Sequence, residues 1–121
     1  MDQFYFEKLE VWQNARQLVK EIYIATQSFP ESERFGITDQ IRKASVNITA
    51  HIAKGVLRKS KKDKSRFLDT AFGSTIEVIN FLILSYDLQL LNYEDYLHLR
   101  GQSEFISNQI NSLKKSIHNE S

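Results

Sequence analysis

The sequence contains no cysteine, and its 121 residues include only one proline and four glycines. The lack of cysteine excludes a disulfide framework, a thiolate metal site and a thiol nucleophile, and it fits a reducing compartment. The scarcity of proline and glycine favours long helices with short connections over a turn-rich sheet fold. We therefore expect an all-α protein in the cytoplasm.

The sequence predicts neither a leader peptide nor a membrane-spanning segment. The first residues, MDQFYFEKLEVW, lack a basic segment followed by an apolar run, and no stretch reaches the ~20 apolar residues that cross a bilayer. A chain of 121 residues has room for one domain with one hydrophobic core. We expect a single domain over residues 1–121.

Apolar residues recur every three or four positions in four segments, which is the pattern of amphipathic helices. The first segment has Val11, Ala15, Leu18 and Ile22 in this spacing, and it ends before Pro30, which cannot continue a helix. The predicted helices cover residues 6–27, 38–56, 61–91 and 93–118. Short links between long helices favour antiparallel neighbours, so the expected fold is an up-down-up-down four-helix bundle.

Several residues mark the predicted helix ends. Thr38 is expected to cap the second helix, and Gly55 is expected to stop it. Ser60 and Asn92 each precede an aspartate by three residues, which is a capping box with a shortened acid. The third and fourth helices should therefore begin directly after Ser60 and Asn92.

Apolar side chains also occur off the core-facing stripes. The second helix carries a small apolar stripe opposite its core face, and the third helix carries large apolar residues beside its own. These residues are Val46, Ala50, Ala53, Phe81, Leu84 and Leu88. Because a monomer would leave them facing water, we predict that they contact neighbouring subunits in a homo-oligomer.

Positive charge is concentrated in one short stretch. Positions 58 to 66 hold six basic residues and one acid, whereas the rest of the chain holds ten basic and fourteen acidic residues. Basic side chains can neutralise phosphates and release counterions, so we expect a nucleic-acid site there. The alternative is a solvated loop and first helical turn. The candidates are Arg58, Lys59, Lys61, Lys62, Lys64 and Arg66, with Lys43 and Lys54 either extending the surface or pairing with acids.

Other polar residues have simpler interpretations. Arg42 is expected to form an ion pair, either between subunits or within the chain, for instance with an acid such as Glu77 on a neighbouring helix, rather than to extend the basic surface. Asp95 and His98 have the i, i+3 spacing of carboxylate-bridged bundles, but the predicted core stripes supply no further ligands. We therefore expect no metal and no cofactor.

Two further features bear on catalysis and on aromatic contacts. The sequence has no G-x-S-x-G elbow, no glycine-rich phosphate loop and no paired buried acids, so we expect a protein that is not an enzyme. Phe4, Tyr5 and Phe6 precede the first helix. Packing of these rings on the end of the bundle is favoured over stacking on bases.

A stretch in the middle of the chain resembles a motif of a known bacterial family. It reads FGITDQIRKASV at residues 35–46 and continues through Ile48, Ile52, Ala53 and Gly55. Further matches are LEVW at 9–12, FP at 29–30, RKS at 58–60 and FL at 67–68. That family comprises the four-helix bundle proteins encoded in intervening sequences of 23S ribosomal RNA genes, also called S23 ribosomal proteins. The family usually reads Asn-Ile-Ala-Glu-Gly where this chain has His51-Ile52-Ala53-Lys54-Gly55.

The resemblance implies a left-handed bundle that assembles into a ring, a pentamer. It also implies similarity to accessory proteins of diversity-generating retroelements, which partner a reverse transcriptase and bind nucleic acid. It does not imply a structural protein of the ribosome.

Two functional hypotheses follow from the sequence. The first is an oligomeric protein that binds RNA or DNA without sequence preference, through phosphate contacts in the basic stretch. The second is a protein–protein scaffold or accessory subunit, for example of a reverse transcriptase, whose outer apolar stripes dock a partner and which has no direct nucleic-acid role. Neither hypothesis involves a membrane.

Overall fold

The protein is an up-down-up-down bundle of four helices in a computed structural model that describes residues 3–120. The helices are α1 (Glu10–Thr26), α2 (Ile37–Val56), α3 (Lys61–Asp87) and α4 (Tyr93–His118), with short 3-10 turns at Tyr5–Lys8 and Glu31–Glu33. Each helix packs against its neighbours in sequence, and α1 also packs against α4, which closes the bundle. The predicted fold class is confirmed.

The core is a single apolar cluster contributed by all four helices. Its most completely buried large side chains are Leu18, Ile22, Ile41, Ile48, Ile52, Leu68, Leu82, Ile106 and Ile110. The contact between α2 and α3 is the most extensive in the bundle. A Cβ added to Gly55 would lie 3.0 Å from the Phe67 Cβ, so the glycine lets the two helices approach closely. The helix ends at Val56 as predicted, but Gly55 is not its stop, because Leu57 is the cap residue and Gly55 does not adopt a left-handed conformation.

Two of the three predicted caps are confirmed. The Ser60 side chain accepts a hydrogen bond from the Asp63 N–H at 3.1 Å, and the Asn92 side chain accepts one from the Asp95 N–H at 2.7 Å. The prediction for Thr38 is wrong, because the cap residue of α2 is Gly36. Thr38 lies inside the first turn, where its hydroxyl is buried without a hydrogen-bond partner in the described part of the chain.

Two predicted helix boundaries also differ from the structure. The first helix begins at Glu10 rather than at residue 6, because Tyr5–Lys8 form a separate 3-10 turn and Leu9 is extended. The third helix ends at Asp87 rather than at residue 91, because Gln89 adopts a left-handed conformation with φ 60°. The Leu90 N–H then bonds to the Ser85 carbonyl at 2.9 Å, and the Gln89 N–H bonds to the Tyr86 carbonyl at 3.0 Å. This pair of bonds is a Schellman motif, which terminates a helix.

The third helix leaves much of its most apolar stretch outside the core. By length and composition alone, α3 is long and apolar enough to cross a membrane, although the sequence was expected to hold no such segment. In the structure it packs between α2 and α4, which accounts for one apolar face. Only 33% of its most apolar stretch is buried in the bundle. Apolar side chains therefore remain on its outer surface.

Candidate nucleic-acid interface

One end of the bundle gathers basic residues from three separate helices. Because the helices are antiparallel, the end of α2, the start of α3 and the end of α4 lie together. The Lys61 Nζ donates to the His118 carbonyl at 3.5 Å, and the Lys114 Nζ is paired with the Asp69 carboxylate, so these segments are adjacent. We call this region the basic end, and it consists of Lys54, Arg58, Lys59, Lys61, Lys62, Lys64, Arg66, Lys114 and Lys115.

Most cations of the basic end are exposed and have no acidic partner. Lys64 is half-buried, Lys114 is partly covered beside Asp69, and the others are exposed. Arg66 is paired with Asp63 at 3.3 Å and Lys114 with Asp69. Within residues 3–120, no carboxylate lies within ion-pair distance of the other seven side chains. The positive charge there is therefore left largely uncompensated and faces solvent.

The start of α3 concentrates positive potential further. Ser60 caps the Asp63 N–H, whereas the first-turn amides of Lys61 and Lys62 have no partner inside the helix. The helix dipole places partial positive charge at this terminus, where lysine side chains are mildly unfavourable and anions are favoured. Lysines at this position slightly destabilise the free helix, but together with the free amides they can bind a phosphate.

The structure separates Lys43 from the other predicted basic residues. Lys43 lies in the second turn of α2, thirteen residues before the helix ends at Val56, which corresponds to about 20 Å along the helix axis. Its Nζ is paired with the Asp39 carboxylate at 3.0 Å. Lys54, in contrast, is exposed in the last turn of α2, four residues before Arg58 in sequence. The structure thus brings Lys54 to the basic end but not Lys43.

Arg42 does not form the expected ion pair with Glu77 within the chain. Its Nε donates to the Thr26 hydroxyl at 2.8 Å, and its guanidinium lies 4.6 Å from the centre of the Tyr23 ring. Both partners belong to the last turns of α1. Arg42 therefore fastens α1 to α2 by a hydrogen bond and a cation–π contact instead of by an ion pair.

The predicted interface residues lie in two separate patches. Val46, Ala50 and Ala53 follow the outer side of α2, where Val46 is exposed and the two alanines are half-buried. Leu84 and Leu88 are exposed near the end of α3, at the end of the bundle opposite to the basic end. The remaining predicted residue, Phe81, is on the same part of α3 and is half-buried against the core. Phe35, which precedes α2 at this end of the bundle, is 84% exposed and was not predicted as an interface residue.

The aromatic residues before α1 divide between packing and exposure. The Phe6 ring contacts the Trp12 ring edge-on, with centroids 5.1 Å apart. The Phe4 ring stacks on Phe6, but Phe4 and Tyr5 are 63% and 57% exposed. The expected packing on the bundle end therefore holds for Phe6, whereas Phe4 and Tyr5 mainly face solvent.

The histidine considered as a metal ligand makes a different contact. The His98 Nε2 lies 2.8 Å from the Glu21 carboxylate, which also accepts a hydrogen bond from the Gln102 amide. Burial raises the pKa of Glu21, but the hydrogen bonds from Gln102 and His98 and the charge of His98 outweigh it, and the pKa is lowered overall. Among the described residues, no group of three or more histidine and acidic side chains is arranged to hold a metal ion.

Comparison with known proteins identifies the family. The sequence profile described as 23S rRNA-intervening sequence protein matches residues 7–112, which is most of the chain. The chain belongs to this family. The fold is also similar to that of a crystallised protein of unknown function from the S23 ribosomal protein family of Bacteroides thetaiotaomicron VPI-5482, with a TM-score of 0.78 and 21% identity over 87% of this chain and 98% of that chain. No curated protein sequence matches the chain significantly.

Proposed function

We propose that this family member is a non-enzymatic, oligomeric protein of the cytoplasm that binds nucleic acid through the basic end. The observation that supports this function best is the convergence of basic side chains from α2, α3 and α4, of which Lys114 and Lys115 are about fifty residues away in sequence from Lys61. The contacts are to phosphates, so binding weakens steeply with salt and shows little dependence on base sequence.

Self-association is the second part of the proposal. Two thirds of the most apolar stretch of α3 is not buried within one chain, and Leu84 and Val46 are 42% and 40% exposed. Burying such side chains against another subunit is favourable. A closed ring, a pentamer by resemblance, would repeat the basic end once per subunit and so increase the avidity for a long phosphate chain.

A protein–protein scaffold is the alternative, and it rests on the end of the bundle opposite to the basic end. Phe35, Leu84 and Leu88 are all exposed there, away from the lysines. Large apolar residues gathered on one surface are typical of a docking site for another protein. In this alternative, a neighbouring subunit or a partner enzyme packs against the apolar residues, and the basic end binds no nucleic acid.

The experiment combines solution mass with RNA retention for matched variants. Double reversal of Lys61 and Lys62 to glutamate should abolish RNA retention at low salt and leave the oligomer intact. Lys43→Glu is the control, since it reverses a charge on the same bundle far from the basic end. Leu84→Glu should instead reduce the solution mass measured by light scattering.

Each outcome decides between the two functions. RNA retention that is lost in the Lys61/Lys62 variant but kept in Lys43→Glu supports nucleic-acid binding at the basic end. Wild-type oligomer that retains no RNA at low salt rejects this function and leaves the scaffold. Retention that persists at high salt and depends on one base sequence contradicts binding through phosphates alone.

A further inference from the structure

A guanidinium lies over an aromatic ring inside the basic end. The guanidinium of Arg58 lies 4.4 Å from the centre of the Phe67 ring, which is a close cation–π contact. The His51 ring lies near the same aromatic ring, with centroids 6.1 Å apart and planes inclined by 33°. We call His51, Arg58 and Phe67 the stacking platform. It bridges the end of α2 and the start of α3.

Close packing of the two helices holds the platform in place. Phe67 is half-buried because α3 approaches α2 at Gly55, where any added Cβ would meet the Phe67 Cβ at 3.0 Å. The Arg58 N–H bonds to the Gly55 carbonyl at 3.1 Å, which anchors the backbone that carries the guanidinium. Arg58 itself is exposed, so its guanidinium lies over Phe67 and remains accessible to solvent. An exposed planar cation held in this way can stack on a nucleobase.

His51 adds a hydrogen-bonding edge to the platform. Its Nδ1 lies 2.8 Å from the Asn47 carbonyl, and because a carbonyl only accepts, the Nδ1 donates. The neutral ring then has an acceptor at Nε2. Lys54 is in the last turn of α2, four residues before Arg58, and the Arg66 guanidinium lies 6.0 Å from the centre of the Phe67 ring. Further cations therefore lie close to the platform, where they can contact the phosphates next to a stacked base.

We propose that the nucleic acid bound at the basic end is single-stranded, with one base stacked on Arg58 above Phe67 and beside His51. This inference rests on the proposed nucleic-acid function and specifies its ligand. In a duplex the bases are already stacked and paired, so their faces cannot reach the platform, whereas bases of a single strand can. Stacking is tolerant of base identity, since every base has an aromatic face.

The test compares single-stranded and duplex ligands. Fluorescence anisotropy at constant low salt measures the binding of a short labelled oligouridine and of the same strand annealed to its complement. Arg58→Lys keeps the charge but removes the planar group, so it should weaken binding of the single strand about tenfold and leave duplex binding within about twofold. Phe67→Leu, which keeps an apolar side chain against Gly55, should act in the same direction.

A matched control is available at the opposite end of the molecule. Arg34 lies 5.1 Å from the ring of Phe35, so Arg34→Lys makes the same chemical change over an exposed phenylalanine outside the basic end. It should leave both affinities unchanged. Photo-crosslinking of bromouridine in the single strand gives an independent measurement, and the crosslinked peptides should contain His51 or Phe67. Circular dichroism melting checks that each variant remains folded.

The outcomes separate this inference from the function on which it rests. Loss of single-strand affinity in Arg58→Lys, with duplex affinity retained and crosslinks on the platform, supports it. Equal binding of both ligands by the wild type and by Arg58→Lys overturns the platform but leaves the proposed function intact, because Lys61 and Lys62 would still provide phosphate contacts. Wild-type protein that binds neither ligand overturns both.

Discussion

Two of the helix–helix contacts in the bundle differ in the kind of side chain that forms them. Between α2 and α3 the helices meet through apolar side chains, and Gly55 allows a separation that even one added methyl group would disturb. Between α1 and α4 the contact is smaller, and side-chain hydrogen bonds connect the two helices. The Asn14 amide donates to the Gln109 side chain at 3.0 Å, and the Glu21 carboxylate contacts both the His98 ring and the Gln102 amide. The first contact depends on close apolar packing, whereas the second adds hydrogen bonds between polar side chains to the apolar residues that α1 and α4 bury in the core.

This difference indicates which changes each contact tolerates. Closely packed apolar surfaces respond to volume, because interiors have few voids and added atoms force strain. Contacts made by partly exposed polar groups respond to charge and pH, and they contribute less because water competes for the same groups. The following substitutions address the two contacts separately.

The largest expected effect is at the α2–α3 contact. Gly55→Val places a branched side chain where Phe67 and Leu68 already lie, so we expect the free energy of unfolding to fall by about 2 kcal/mol. Urea denaturation followed by circular dichroism measures this change. Gly73→Ala is the matched control, since nothing lies within 4 Å of its added Cβ, and it should raise stability by about 1 kcal/mol through helix propensity. Similar effects at both glycines would show that close packing at Gly55 is unimportant.

A smaller effect is expected at the α1–α4 contact. Glu21→Gln removes the charge that His98 and Gln102 contact, and because the His98 side chain is 60% exposed, the expected loss is only about 1 kcal/mol at neutral pH. The pKa of Glu21 is lowered by folding, so its stabilisation is complete above the ordinary glutamate pKa of 4.5 and is lost as the pH falls through the lower value of the folded state. The wild type and the variant should therefore converge in stability in acid.

The control for this prediction is a glutamate paired within one helix. Glu104 is bound to Arg100 at 3.1 Å on α4 and is 57% exposed, so Glu104→Gln should change stability less than Glu21→Gln does. Urea denaturation at a series of pH values measures both variants. A difference between wild type and Glu21→Gln that is the same at neutral and acid pH would contradict the role assigned to the Glu21 charge.

The smallest expected effect lies outside both contacts, in the turn between α3 and α4. Gln89 has φ 60°, a conformation that costs energy for residues with a Cβ and not for glycine. Gln89→Gly should therefore raise the free energy of unfolding by about 0.5 kcal/mol, less than the conformational cost because glycine also makes the unfolded chain more flexible. Thermal unfolding detects this as a small rise in Tm. A fall in Tm would mean that the Gln89 side chain stabilises the turn.

The parts of the fold that depend on local chemistry could be predicted from the sequence. Helix periodicity and the caps at Ser60 and Asn92 involve residues three or four positions apart, and these predictions are confirmed. Thr38 and Gly55 were misinterpreted because each residue type has two common uses. Threonine is a common N-cap residue, but in this chain the N-cap of α2 is Gly36 and the helix begins before Thr38. Gly55 serves close packing against α3, which only the tertiary structure reveals.

The parts of the site that depend on distant residues could not be predicted in the same way. The run at positions 58 to 66 is visible in the sequence, whereas Lys114 and Lys115 join it only because α4 runs antiparallel to α3. The predicted bundle topology contained this information, since it places the last turn of the fourth helix beside the first turn of the third. The contacts of Arg42 could not be predicted from the sequence, because Arg42 binds the Thr26 hydroxyl and the Tyr23 ring rather than the expected acid.

An even number of helices has a practical consequence for any handle attached to this protein. The 3-10 turn at Tyr5–Lys8 precedes α1 and packs on α2, and the last turn of α4 lies beside Lys61, so both described chain ends lie at the basic end. An affinity tag or fluorophore attached beside these described ends would lie near the lysines and could alter the nucleic-acid binding that the experiments measure. Labels for binding experiments belong instead on the opposite connection, at Glu31–Glu33.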